Sequence, residues 1–403
     1  MPQAYFGLGI IGVLAFLILW REGVLRSKRA VLLSAALLAA ALWTRALCLN
    51  HETLDYQNFL KGWVQFFRDG GGWAALRRSV GNYNLPYLYF LALFSYSSVP
   101  DLYLIKLLSI FFDVVLAWGV LRLARRFSGA RSAALAGFFI PLFLPTVVLN
   151  GAYWGQCDSI YAAFGVWSVA FALEEKPVRS VAAIALSFAF KLQAVFLMPV
   201  FLVFIFAKKI KWVHLLIFPL TYLLAVLPAV LTGRPLLDTV LLYVNQADTV
   251  GGGLNYNSPS VFALLRNPQN PELFATLGIV AAFAALLALF VFCYLRRERL
   301  GDRALLACAL LVCVAVPFLL PHMHDRYFFL ADVLSVAFAF AAPRLTHVPV
   351  CASFASLMGY HAYLRMRWFL DRPDSIAWGA VALLIVLATL LCYLPICTAK
   401  HKK

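Results

Sequence analysis

Charge is scarce in this chain of 403 residues: Asp, Glu, Lys and Arg together make up 13%, roughly half the share found in soluble globular domains. With 63% hydrophobic residues and a mean hydropathy of +0.84, that scarcity excludes an ordinary soluble domain and points to a polytopic integral membrane protein. Acidic residues are the scarcer sign, 18 against 34 basic, which gives a net charge of +16. Nucleic acid as a partner is excluded by how the basic residues are distributed, because they sit in short clusters between apolar runs, as the positive-inside rule requires of cytoplasmic loops. No C-x-x-C pair occurs among the eight cysteines, so a zinc ribbon or a dithiol redox motif has no ligands. Most of the cysteines fall in apolar segments as small buried side chains, and a disulfide is open only to Cys48 and Cys157, near expected outer ends. No A-x-A-like cleavage site follows the first apolar run, and a second run begins at Ala30, so the first is expected to be a span rather than a signal peptide. No internal repeat is visible either.

What is present is a succession of apolar runs. A helical-span template finds about thirteen, at 4–20, 30–48, 103–121, 132–149, 158–173, 179–190, 194–207, 212–231, 273–295, 304–320, 327–342, 347–364 and 376–395. The expected fold is therefore all-α, a single transmembrane domain over 1–403. This register puts the basic clusters "REGVLRSKR", "RLARRFSGAR", "AKKIKW", "RRERLGDR" and "AKHKK" on the cytoplasmic side, with the N-terminus outside and the C-terminus inside. The apolar stretch 85–97 is too short to cross, which leaves a long first external loop over 49–102; a second external loop covers 232–272. Within the first, Tyr56, Phe59, Leu60, Trp63 and Phe67 recur at helical spacing opposite Gln57, Asn58, Lys61, Gln65 and Arg68, and "RDGGG" stops the run. That pattern predicts an amphipathic helix on the membrane surface.

Four polar constellations fall at expected outer turns. "HETLDYQNFLKGW" carries Glu52 and Asp55 at the start of the surface helix, where an aspartate serves either as an N-cap or as a chemical group. "NGAYWGQCDSIY" carries Gln156 and Asp158, which could simply cap a helix. "FKLQ" puts Lys191 and Gln193 at a break between two short spans, a costly place for a lysine unless it meets a partner or a wet cavity. "PHMHDRYF" carries His322, His324, Asp325 and Arg326, which could ligate a divalent metal or grip an anion. Carboxylates and cations together suit sugar transfer from a phosphate-linked donor, so the anion role is preferred for His322, His324 and Arg326, and a divalent metal stays open. A late segment, "YHAYLRMRWFLDRPDS", adds Arg365, Arg367 and Arg372, which could meet anionic headgroups or an acceptor phosphate, although snorkelling at a helix end is the commoner role of such arginines.

Taken in order, "LDYQNFLKGW", "NYNLPYLYFL", "LIKLLSIFFDVVLAW", "WGQCDSIYAAF", "FKLQAVFLMPVF" and "PHMHDRYFFLADVLS" resemble the polytopic glycosyltransferases of the GT-C superfamily, in particular bacterial relatives of the GPI mannosyltransferase II. The likeness covers roughly residues 45 to 340. It departs where such proteins more often read D-Y-P-P, for here the run is Asn82, Tyr83, Asn84, Leu85, Pro86, lacking a carboxylate and one proline. The resemblance implies an inverting transferase, mannose favoured, that takes its sugar from a polyprenyl-phosphate donor at the extracytoplasmic side of a bacterial cytoplasmic membrane. Its acceptor would be a lipid or glycan hydroxyl, and membrane lipids its surroundings. Asp55 is then expected as general base with Asp158 also catalytic; Lys191, His322, His324 and Arg326, with Lys106 less favoured, as the donor-phosphate cations; and Glu52, Asn58, Tyr83, Gln156 and Gln193 as substrate contacts. Two other classes fit a polytopic chain. A transporter or flippase of lipid-linked sugars would show related halves and a site near the bilayer midplane, and an O-antigen polymerase or ligase would show large arginine-rich late loops.

Overall fold

A computed structural model describes residues 2–243, 252–265, 268–364 and 371–399. Helix dominates, as the apolar runs require of a chain whose backbone must satisfy itself away from water. Among the described residues, seven helices are long and apolar enough to cross a membrane: Pro2–Arg21, Lys28–Ala46, Asp101–Ser128, Trp212–Leu231, Pro271–Leu295, Asp302–Leu319 and Arg372–Cys397. An eighth is added if Arg131–Phe143 and Pro145–Trp154, bent by 51° at their junction, are one broken span. The bend has a local cause. Leu144 precedes Pro145 and takes an extended ψ of 125°, since the proline ring disfavours helical geometry in the residue before it.

By length and composition the described residues thus give seven or eight candidate spans, and the expected count of about thirteen is not confirmed. Several of the remaining expected spans form shorter apolar helices, Asp158–Leu173, Pro177–Phe190, Leu192–Phe206 and Phe329–Ala341. Leu85–Phe94 is also of this kind, and its ten residues rise only about 15 Å, half of a hydrocarbon core. All eight cysteines are free thiols, so the Cys48–Cys157 disulfide is not formed; Cys293 and Cys308 lie with sulfurs 3.7 Å apart, buried.

The fold divides into two compact units interleaved in sequence. One comprises Met1–Trp167, Val181–Ala194 and Leu215–Thr249; the other comprises Ser168–Ser180, Val195–His214 and Val250–Lys403. In the first unit, Asp101–Ser128 is the central helix. Arg131–Phe143 folds back along it, and Pro2–Arg21 also packs against it, joining a core that contains Leu8, Ile11, Ile110, Val114, Leu121 and Phe138. In the second, Asp302–Leu319, Phe329–Ala341, His347–Leu364 and Arg372–Cys397 pack on one another. The expected second external loop holds a short helix at Leu236–Val240 and a turn at Val261–Leu264, and residues 244–251 and 266–267 lie outside the described residues. Against the all-α expectation stands one pairing of two-residue strands, Asn255–Tyr256 parallel to Met323–His324. Arg365 and Arg367 also lie outside the described residues, while Arg372 begins the last helix.

The loop 49–102 is structured. Tyr56–Leu60 forms a π-helical turn that runs into the helix Lys61–Asp69, followed by a 3₁₀ turn at Gly72–Arg77. Gly71 and Gly72, at φ of 82° and 65°, stop the helix in a backbone region that only glycine adopts freely. The polar side falls where the pattern predicts, with Gln57, Asn58, Lys61, Gln65 and Arg68 exposed. The apolar side differs by one step: Tyr56, Leu60, Val64 and Phe67 are buried in the protein, whereas Phe59 points out. A π-turn holds more residues per turn than an α-helix, which rotates Phe59 off the stripe and Val64 onto it.

Candidate active site

The π-turn also decides the orientation of Asp55. Its backbone is already helical, at φ −63° and ψ −40°, and its side chain makes no capping hydrogen bond, which removes the N-cap reading. The carboxylate reaches instead to a segment about a hundred residues on. Its Oδ2 accepts from the indole Nε1 of Trp154 at 2.8 Å and from Nε2 of Gln156 at 2.6 Å. Bonds to an ionised acceptor are about twice as strong as neutral ones, so this oxygen is held firmly. The carboxylate itself is half-buried, while Trp154 and Gln156 are buried.

Trp154 and Gln156 can both reach Asp55 because Gly155 lies between them at φ 81°, ending the π-helix Leu149–Trp154 with a left-handed residue. Each is tied down further. Thr53 donates to the Trp154 carbonyl at 2.9 Å, linking the two segments of the site by a second bond two residues before Asp55. Gln156 accepts at Oε1 from the Tyr83 hydroxyl at 2.9 Å, and its own carbonyl accepts from Ser109 at 2.6 Å. A carboxylate only accepts, so Nε2 must face Asp55, and that fixes the amide's orientation.

Asp158, at the first turn of its helix, is buried and satisfied. One oxygen accepts from Asn150 Nδ2 at 2.7 Å, and the other is ion-paired with Lys191. Lys191 lies over the ring of Tyr83, 5.4 Å from its centroid. Tyr83 therefore connects the Asp55 cluster to the Asp158–Lys191 pair. Both partners of the pair are nearly inaccessible, at 1% and 7% side-chain exposure, so the lysine's charge is already answered by a carboxylate.

Beneath these groups lies a second buried ion pair. Arg45 donates through Nε and Nη2 to Asp113 Oδ2 at 2.9 and 2.8 Å, and through Nη1 to the carbonyls of Ala41 and Leu142. Asp113 also accepts from Ser159, the residue after Asp158. Lys106 donates to the carbonyls of Cys48 and His51 at 2.7 and 2.6 Å, clamping the turn that leads to Asp55. His51 stacks on Tyr153 with centroids 3.9 Å apart. Burial, then the Lys106 charge, lowers the His51 pKa. Tyr56 bonds Asp101 at 3.1 Å, and burial, then that carboxylate, pushes its phenol well above the usual value.

Other expected site residues stand apart from this network. Glu52 is exposed and accepts from Gln57 at 3.3 Å, and Asn58 is exposed. Gln193, two residues after Lys191, has a buried side-chain oxygen with no partner among the described residues.

The group at 322–326 belongs to the second unit. His322 sits at φ 62°, its Nδ1 2.7 Å from the Gly253 carbonyl; His324 stacks on Tyr256 at 4.7 Å; and Arg326 lies 3.5 Å from Asp325. Among the described residues, no three His, Cys, Asp or Glu side chains form a metal-binding group, so the metal reading of His322, His324 and Asp325 has no ligand set.

Trp154, Asn150, Ser109, Asp113 and Arg45 are the side chains that sequence reasoning passed over. For Asp113 and Arg45 a signal existed, because a charge inside or at the end of an apolar run is expensive and demands a partner. Trp154 gave none, since an indole in an apolar segment reads as packing.

With this geometry in place, comparison with known proteins adds one finding. Residues 89–208 match the family model MptA_B, described as the alpha-(1->6)-mannopyranosyltransferase N-terminal domain. The match covers less than a third of the chain and includes Trp154, Gln156, Asp158 and Lys191, but not Asp55. It supports a membrane glycosyltransferase of mannosyltransferase type; the particular likeness to the GPI mannosyltransferase II has no counterpart in it. No curated protein and no solved structure matches the chain.

Proposed function

We propose that the protein is a membrane mannosyltransferase in which Asp55 is the general base. It transfers a sugar from a polyprenyl-phosphate donor to an acceptor hydroxyl at the extracytoplasmic face, with inversion. The observation that carries this reading is the Asp55 carboxylate: it caps no helix, it is half-buried, and it is aimed by Trp154 and Gln156 from within the segment that resembles the mannosyltransferase domain. An acceptor hydroxyl loses its proton as it attacks the anomeric carbon, and a positioned carboxylate that takes it contributes typically 10²- to 10⁴-fold. A single displacement with one base inverts the centre. Sidedness follows from the basic clusters, which the positive-inside rule assigns to the cytoplasm, opposite the loop that bears Asp55.

Trp154 and Gln156 hold one oxygen of the base. Asp158 and Lys191 neutralise each other and brace Tyr83 and Asn150, which makes them positioning residues. His322, His324 and Arg326 carry the anion-recognising chemistry that a phosphate-linked donor requires.

The test is Asp55→Asn in a transfer assay with defined polyprenyl-phosphate sugars. The amide is nearly isosteric and its oxygen still accepts from Trp154, yet it cannot take a proton, so turnover is expected to fall by at least 100-fold with thermal stability nearly unchanged. Wild-type turnover in a folded Asp55→Asn protein ends the general-base assignment.

A further inference from the structure

The second unit contains a cavity of about 560 Å³ between the helices Pro271–Leu295, Asp302–Leu319 and Arg372–Cys397. Every residue lining it is apolar, and alanines at 282, 285, 288, 315 and 388 open the space that larger side chains would close. A packed core has few voids larger than a water molecule, so a space of this size among helices facing lipid is a place for an apolar chain. Its length is informative. From Ala282 to Phe292, both on its wall, ten helical residues rise about 15 Å, half of the roughly 30 Å hydrocarbon core. The groove is therefore about as long as one leaflet is deep.

One end of the groove is charged. Phe292 and Pro395 line it there, and Arg296 holds its guanidinium over the Phe292 ring at 5.0 Å. Nη1 of Arg296 donates to Thr398 Oγ1 at 3.2 Å and, more weakly, to the carbonyls of Pro395 and Thr398 at 3.4 Å. Among the described residues, its Nε and Nη2 make no hydrogen bond. The loop beyond, 296–303, carries four arginines, and its two acids are answered by lysines, Glu298 by Lys208 and Asp302 by Lys209, each at 3.3 Å. A planar guanidinium with donors to spare, at the headgroup end of a leaflet-deep apolar groove, matches a phosphate diester attached to an acyl chain.

We propose that this groove is a binding site for one anionic phospholipid, with an acyl chain between the three helices and its phosphate on Arg296. The proposal does not rest on the transfer chemistry and holds whether or not Asp55 is the base. The site's charge complementarity distinguishes it from the general lipid-facing surface, where exposed apolar side chains such as Phe283 and Leu287 take any lipid.

Native mass spectrometry of the full chain in mixed micelles with phosphatidylglycerol or phosphatidylcholine tests it. The wild type is expected to retain one phosphatidylglycerol with at least tenfold higher occupancy than phosphatidylcholine. Arg296→Gln should lose that preference, and Ala315→Phe, which fills the groove, should lose retention of both. Ala388→Leu, on a different helix and smaller, supplies the same test if Ala315→Phe does not fold. Equal occupancy of the two lipids in the wild type, unchanged retention in the groove-filling variant, or retention of polyprenyl phosphate in place of phosphatidylglycerol overturns the proposal.

Discussion

Removing the Lys191 ammonium separates the two roles open to it, donor-phosphate contact and partner of Asp158. Lys191→Met keeps the length of the side chain and leaves Asp158, 1% exposed, without its ion-pair partner. Breaking one side of a buried ion pair strands a charge, and the cost is about 3–5 kcal/mol. Asp158→Asn strands the lysine in the same way. If the pair is a unit, the double variant Lys191→Met/Asp158→Asn strands nothing. Its loss should be close to that of a single variant rather than the sum of about 6–10 kcal/mol. Unfolding of the four proteins in mixed micelles, titrated with a denaturing detergent, measures the coupling. Donor saturation measures the chemistry: a positioning pair recovers in the double variant, whereas a phosphate-binding lysine does not. Additive destabilisation, or a donor KM raised equally in Lys191→Met and in the double variant, would refute the pairing argument.

Two further outcomes follow from the same geometry. Trp154→Phe keeps the ring and removes one N–H from Asp55; a hydrogen bond to a charged group contributes about 1.5–3 kcal/mol, so turnover should drop by about 10- to 100-fold, and unchanged turnover would show that the indole only packs. His51 has a folded-state pKa below its unfolded value of about 6.5. The unfolded chain therefore binds the extra proton first, and the stabilisation present above about pH 6.5 is lost as pH falls through the folded pKa. His51→Phe, which keeps a ring against Tyr153, should flatten that acid limb of a thermal-stability profile, and an unaltered limb would assign it to other groups.

The apolar runs by themselves determined that this is a helical, membrane-type chain, because helix length and hydropathy are local properties and every backbone group must be satisfied within the segment. The sequence also marked most of the segments that form the site. "LDYQ", "WGQCD" and "FKLQ" stood out because a carboxylate or lysine next to an apolar run is costly without a purpose. How those groups pair was decided only in three dimensions. A helix turns 100° per residue, so whether Asp158 meets Lys191 or water depends on rotations that the segments impose on one another as they pack. Those rotations were set by backbone details with no periodic signature: the proline at 145 that bends a span by 51°, the left-handed Gly155, and a π-turn after Asp55. Asp55 read as an N-cap or a base with equal ease along the chain. The packed fold leaves Asp55 without a capping bond and brings the indole N–H of Trp154, 99 residues away, to its carboxylate.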